Sequence, residues 1–247
     1  MKFSRILFLS LFSLILVACG LSQGQNSAQS SDSEAAVTGT SSSGTAETSS
    51  QLPSKQALEA DPTPLDIASV VNPANLGQNL SDGGYVFVFR YTGAGGERTA
   101  VPENLQGQVI DDGQRISDSS VEKMGLYGQK YRDLGVEADH ILTSEYYFVW
   151  QHAQAAFGDN LEINRDLTGS LNFSDNQELE QSLQNLRNRT IQVPEAGKST
   201  ILFTHQGKFD KAYGYYIPAG TTLVFKPDGS NQPKLIAVLT FEEFLNV

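Results

Sequence analysis

The chain has 247 residues, 39% of them hydrophobic and 18% charged, and a formal net charge of −11. That acidic balance, 28 Asp and Glu against 17 Lys and Arg, offers no basic face and excludes a general nucleic-acid role. The single cysteine excludes an internal disulfide, and neither a metal site nor a cofactor is expected.

In chain order, Lys2 and Arg5 precede an apolar run from Ile6 to Val17, broken only by serines. The run is too short to cross a bilayer comfortably, and no stop-transfer pattern follows. It ends in Leu16-Val17-Ala18-Cys19-Gly20, which resembles the lipobox of bacterial lipoproteins. The resemblance implies a signal peptide over 1–19 and acylation of Cys19, which becomes the mature N-terminus. Acyl chains, at about 0.8 kcal/mol per buried CH₂, would then anchor the chain without a transmembrane helix. The implied location is the bacterial cell envelope, on the extracytoplasmic side. Loss of Lys2 and Arg5 with the signal takes the charge from −11 to −13, so anionic headgroups repel the rest and attachment rests on the lipid.

Residues 20–62 are rich in Ser, Gly, Thr, Ala and Gln, and no aromatic residue occurs between Cys19 and Tyr85. Such a segment cannot bury enough apolar surface to offset its ordering entropy. It is expected to be a disordered tether with a root-mean-square span of roughly 35 Å. One folded domain, 63–247, remains, and it is long enough to bury a good core.

That domain opens with an aperiodic lead-in over 63–84. Tyr85-Val86-Phe87-Val88-Phe89-Arg90 then reads as a strand buried on both faces, and a glycine-rich loop follows at Gly93–Gly96. A helix is predicted from Ser117, a good N-cap, to Leu134, with Val121, Met124, Tyr127, Tyr131 and Leu134 forming one stripe and Gly135 as the stop. His140-Ile141-Leu142-Thr143 reads as a strand, followed by helices near Glu145–Phe157 and Asn176–Arg187. Thr200–Thr204 is a further strand, ending at His205. Strands near Thr222–Lys226 and Leu235–Leu239 flank the turn Pro227-Asp228-Gly229. Alternating strands and helices imply an α/β three-layer sandwich with a mostly parallel central sheet, whose ligand site gathers beyond the carboxyl ends of the strands. Arg90 and His205 both fall at such ends. Gly93–Arg98 lacks the third glycine of a dinucleotide fingerprint. Ala196-Gly197-Lys198-Ser199-Thr200 has Gln192 where a phosphate-binding loop needs its first glycine, so neither carries a nucleotide reading.

The order of these pieces resembles the histidine phosphatase superfamily, with its phosphoglycerate-mutase-like fold. In that family the first strand ends in Arg-His-Gly or Arg-His-Ala, where this chain has Arg90-Tyr91-Thr92. The helix that ends in Leu-Gly corresponds to Ile116-Ser117 through Leu134-Gly135. The strand ending in Thr-Ser or Ser-Ser-Pro corresponds to Ile141-Leu142-Thr143-Ser144-Glu145, leading to Phe148 and Gln151-His152-Ala153. The strand ending in a second histidine corresponds to Ile201-Leu202-Phe203-Thr204-His205. The resemblance spans nearly all of 83–247, including Val224–Gly229 and Phe241–Phe244.

The resemblance implies phosphoryl transfer through a phosphohistidine, with two arginines and the second histidine around the phosphoryl oxygens. Here the nucleophile's place is taken by Tyr91 and the second arginine's by Phe148. A phenol with a pKa of about 10 is a poor nucleophile without an adjacent base, and phenylalanine donates nothing to phosphate. The domain is therefore expected to bind or scaffold without catalysing. Arg90, His205, Thr92 and His152 are the candidate ligand residues and a phosphate or other anion the candidate ligand. His152, four residues beyond Phe148, falls near the same helix face. Two alternatives stay open: a phosphoester hydrolase with altered chemistry that uses Arg90 and His205, and a structural surface lipoprotein that binds a protein partner. The aromatic run Tyr146-Tyr147-Phe148 with Trp150 reads as core and pocket wall in preference to a carbohydrate platform.

Overall fold

The computed structural model describes residues 63–247. The expected signal peptide with Cys19 and the expected linker 20–62 lie outside the described residues. No helix among the described residues is long and apolar enough to cross a membrane.

Six strands form one sheet in the order β3-β2-β4-β1-β5-β6. They are β1 (Val86–Arg90), β2 (Ala138–Thr143), β3 (Glu162–Ile163), β4 (Ser199–Thr204), β5 (Thr222–Phe225) and β6 (Leu235–Leu239). β1, β2, β3 and β4 pair in parallel, and β5 pairs antiparallel with both β1 and β6. The expected α/β sandwich with a mostly parallel sheet is therefore the observed one.

The apolar run of β1 works because both its faces are covered. Phe87 and Phe89 point into a cluster with Met124, Tyr127 and Tyr131 of helix α2 (Asp118–Asp133) and with Val149 and Ala153 of α3 (Tyr147–Phe157). Phe244 of α6 (Phe241–Leu245) closes that layer. Val86 and Val88 point the other way, to Leu179, Leu183 and Leu186 of α4 (Asn176–Ile191) and to Phe209 and Tyr213 of α5 (Gln206–Tyr213). Alternation along the strand thus becomes two cores, one on each side of the sheet.

Local signals account for the helix limits. The Ser117 hydroxyl accepts from the Ser120 N–H at the start of α2, and Gly135 takes φ 66° after its last turn. α2 lies so close to α3 that a Cβ at Gly128 would stand 1.9 Å from the Ala156 carbonyl oxygen. One member of the expected stripe is misplaced, since Val121 is 43% exposed. The buried face of α2 runs through Ser120, Met124, Tyr127 and Tyr131, and Val121 falls beside it. α3 starts at Tyr147 and not at Glu145, and α4 continues past Arg187 to Ile191.

The lead-in is not wholly aperiodic. It carries a short helix, α1 (Leu76–Asn79), whose Leu76 is buried, and a 3₁₀ turn whose Leu80 is fully buried. Before it, Asn72 reaches β6. Its Nδ2 donates to the Val238 carbonyl at 2.9 Å and its Oδ1 accepts the Val238 N–H at 2.9 Å.

Candidate functional site

The pairing of β1 with β4 places Arg90 opposite Thr204, so Arg90 and the next residue of the other strand, His205, meet at the carboxyl edge of the sheet. Residues far apart in sequence become neighbours only through this strand order. β2 ends alongside, where the Ser144 N–H donates to the Phe203 carbonyl at 3.2 Å. A cleft of about 260 Å³ opens there, lined by Arg90, Tyr91, Phe148 and His205 among others.

The aromatic rings in this cleft pack on one another. Tyr91 meets Phe148 edge-to-face at 4.9 Å and His205 at 5.3 Å. Tyr146 covers His205 from another side at 5.0 Å. Phe148 is only 2% exposed, so it serves as packing for Tyr91 and forms little of the surface offered to a ligand. Burial and the nearby Asp112 carboxylate raise the Tyr91 phenol above 10, although Arg90 pulls the other way. Tyr91 is therefore protonated at neutral pH and poorly nucleophilic.

Arg90 has spent part of its donor set. Its Nη1 donates to the Ile217 carbonyl at 2.6 Å, and the guanidinium lies 5.3 Å from the centre of the Tyr216 ring. Its Nε is buried without a hydrogen-bond partner.

His205 Nε2 lies 2.8 Å from the Ser144 hydroxyl. Burial, reinforced by the charges of Lys208 and Arg90, holds the imidazole pKa down at about 3, so the ring is neutral near pH 7. A serine hydroxyl beside a neutral imidazole is the pairing of a nucleophile and its base. Here, however, Ser144 is fully buried and its oxygen also accepts the Tyr146 N–H at 3.1 Å. The pair braces the ends of β2 and β4 and presents no accessible nucleophile.

His152 and Thr92 are together but behind the cleft wall. His152 Nδ1 donates to the Phe148 carbonyl at 2.7 Å. The ring is fully buried, which lowers its pKa to about 4. Thr92 is the hydroxyl within reach, at 3.1 Å, and it continues to Ser120 at 3.2 Å. The sequence correctly suggests that His152 shares a helix with Phe148, but this hydrogen bonding turns its ring toward Thr92 and away from the cleft lining.

The remaining cleft residues were not singled out from sequence. Asp112 stands on the rim and accepts the Gln114 N–H at 3.0 Å. Ser170 and the first residues of α5, Gln206 and Gly207, form the opposite side. They lie in turns and at helix ends, with no periodicity to mark them. Only Ser144, at the end of the Thr143-Ser144 run, had a motif that could have flagged it. Among the described residues no group of three or more His, Cys, Asp or Glu gathers to hold a metal ion. The site therefore offers one guanidinium partly bound to backbone, a neutral imidazole, a carboxylate and an aromatic wall.

No family model matches the chain, and no curated protein matches it. Several solved structures follow a similar course of chain. The protein histidine phosphatase SixA, complexed with tungstate, is 16% identical over 64% of this chain and 97% of its own, with a TM-score of 0.42. The alpha-ribazole phosphatase from Shigella flexneri is 12% identical over 64% of this chain and 96% of its own, with a TM-score of 0.40. Phosphoserine phosphatase from Entamoeba histolytica, in complex with 3-phosphoglyceric acid, is 10% identical over 65% of this chain and 98% of its own, with a TM-score of 0.41.

Proposed function

We propose that this chain is a lipid-anchored, extracytoplasmic histidine-phosphatase-like protein that binds or scaffolds and does not run phosphohistidine chemistry. The observation that carries the reading is the edge-to-face contact of Tyr91 with Phe148 at 4.9 Å. The two residues that stand where the family pattern has an attacking imidazole and a second arginine pack against each other. Arg90, with Nη1 held by the Ile217 carbonyl, is the charge left to meet a phosphate-like anion. A single guanidinium gives weaker anion binding than a pair of bidentate arginines. The anchor half of the reading rests on the sequence around Cys19.

The chain from Cys19 onward, carrying Cys19→Ser, should release no phosphate from a broad phosphoester panel. The double variant Tyr91→His with Phe148→Arg should gain measurable turnover. Turnover by the parent that vanishes with His205→Ala would sink the proposal and send the search for a nucleophile elsewhere in the cleft. For the anchor, a clickable palmitate analogue fed to expressing bacteria should label the full-length chain and fail to label Cys19→Ala.

A further inference from the structure

Helix α3 has two working faces, and the aromatic run at its start is divided between them. Phe148, Val149, His152, Ala153 and Ala156 are buried in the domain. Tyr147, Trp150, Gln151 and Gln154 recur at three- and four-residue steps and wall a second depression, outside the aromatic cleft. Its volume is about 660 Å³, against about 260 Å³ for the cleft, and it lies within the range of small-ligand sites, roughly 300–1,000 Å³. Asn104 and Gln108 face α3 from the opposite wall, and Asp159 closes one end.

The chemistry of this groove is distinctive. Tyr147 and Trp150 stack nearly parallel, 17° apart with ring centres at 5.8 Å. Tyr147 is 5% exposed and packs beside the half-buried Trp150, so the indole is held in place as a supported flat surface. Around it stand the carboxamides of Asn104, Gln108, Gln151 and Gln154, with Asp159 the one charged residue of the lining and no Lys, Arg or His. Gln151 is committed, its Oε1 accepting the Ile116 N–H at 3.2 Å, whereas two of the amides have spent a donor only: Gln108 Nε2 on the Asn104 backbone carbonyl at 2.7 Å and Gln154 Nε2 on Asp159 at 3.3 Å. Their side-chain oxygens remain as acceptors.

We propose that this groove binds a saccharide chain. A pyranose ring has an apolar C–H face to lay on a supported indole and an equatorial rim of hydroxyls, each donor and acceptor, to meet carboxamides and a carboxylate. Other ligand classes fit less well. A phosphorylated ligand would find no cation here, and an apolar helix would strip water from the amides without offering them partners. The inference rests on the groove alone and stands or falls independently of the cleft's chemistry.

Trp150 is the single tryptophan of the chain, so its fluorescence reports on this groove. The chain from Cys19 onward, with Cys19→Ser, would be titrated with the tetramer of N-acetylglucosamine, cellotetraose and maltotetraose. At least one should give a saturable emission change with a Kd at or below about a millimolar. Gln154→Ala should weaken that binding by about three- to tenfold, the loss of one hydrogen bond. By calorimetry, Trp150→Ala should abolish it while circular dichroism and melting show the fold retained. Silence from all three sugars up to about 10 mM, several times the affinity range expected for so small an interface, overturns the inference. So does binding that survives Trp150→Ala unchanged, since the sugar would then sit elsewhere.

Discussion

Lys208 is a fully buried lysine, and replacing it should stabilise the protein in a pH-dependent way. It projects from the first turn of α5 into the layer below the sheet and is fully buried. Its ammonium lies 4.1 Å from the centre of the Phe173 ring and donates to the Ser182 hydroxyl. Asp166 and Glu178 attract it and Arg165 repels it, but burial dominates and lowers its pKa from 10.5 to about 7. At about 1.4 kcal/mol for each tenfold change in proton affinity, the charged form costs on the order of 5 kcal/mol more in the folded chain than in water. Below pH 7 both folded and unfolded chains carry the proton and the full cost is present. Between about 7 and 10.5 only the unfolded chain holds it, so stability rises with pH, and above 10.5 the cost is gone. Lys208→Met keeps the volume and removes the charge, at the expense of an unpaired Ser182 hydroxyl worth about 1–3 kcal/mol. The net gain should be roughly 2–4 kcal/mol at pH 6 and should vanish or reverse by pH 10.5. Urea unfolding of parent and variant at both values measures it. A variant less stable than the parent at pH 6, or a difference that does not change with pH, would refute the reasoning.

Two further outcomes follow from geometry already described. Gly128→Ala puts a methyl 1.9 Å from the Ala156 carbonyl oxygen, forcing α2 from α3 at a cost of about 2–3 kcal/mol. A domain of this size should then melt roughly 4–12 °C lower; an unchanged melting temperature would mean the helices can part freely. Of the three histidines, only His140 should titrate in an NMR series from pH 8 to 5. Its pairing with Glu162 raises its pKa, while burial holds His152 at about 4 and His205 at about 3. Because the unfolded chain takes up these protons first, each buried histidine withdraws stability as pH falls below 6.5, by about 2 kcal/mol each at pH 5. A second histidine titrating near 6.5 in the folded chain would contradict the burial argument.

The elements legible in the sequence were those with redundant signals. β1 declares itself because a strand covered on both faces must be apolar throughout. α2 announces both ends through Ser117 and Gly135, which bracket a helical stripe. β3 was missed because two residues carry no period. α5 was missed because its inward positions include Lys208, which any polarity pattern assigns to solvent. Arg90 and His205 were legible as strand ends, but their adjacency is a property of the β1–β4 pairing, which no local pattern encodes. Val121 reads as core by its spacing, yet it lines the groove outside α3. The same groove explains why the run from Tyr146 to Trp150 could not be parsed by composition. Consecutive aromatic residues on a helix face different neighbours, so Tyr146 and Phe148 belong to the cleft and Tyr147 and Trp150 to the groove.

Asn72 has a consequence for how this domain meets copies of itself. β6 is an edge strand, and an edge strand offers unpaired N–H and C=O groups to any extended chain that drifts past. A side-chain amide carries the same donor and acceptor as a peptide unit. By bonding both groups of Val238, Asn72 acts as a one-residue counterfeit of a seventh strand. The edge is closed at Val238 without adding a strand that would itself need closing, and the lead-in that carries Asn72 works as a guard against edge-to-edge polymerisation.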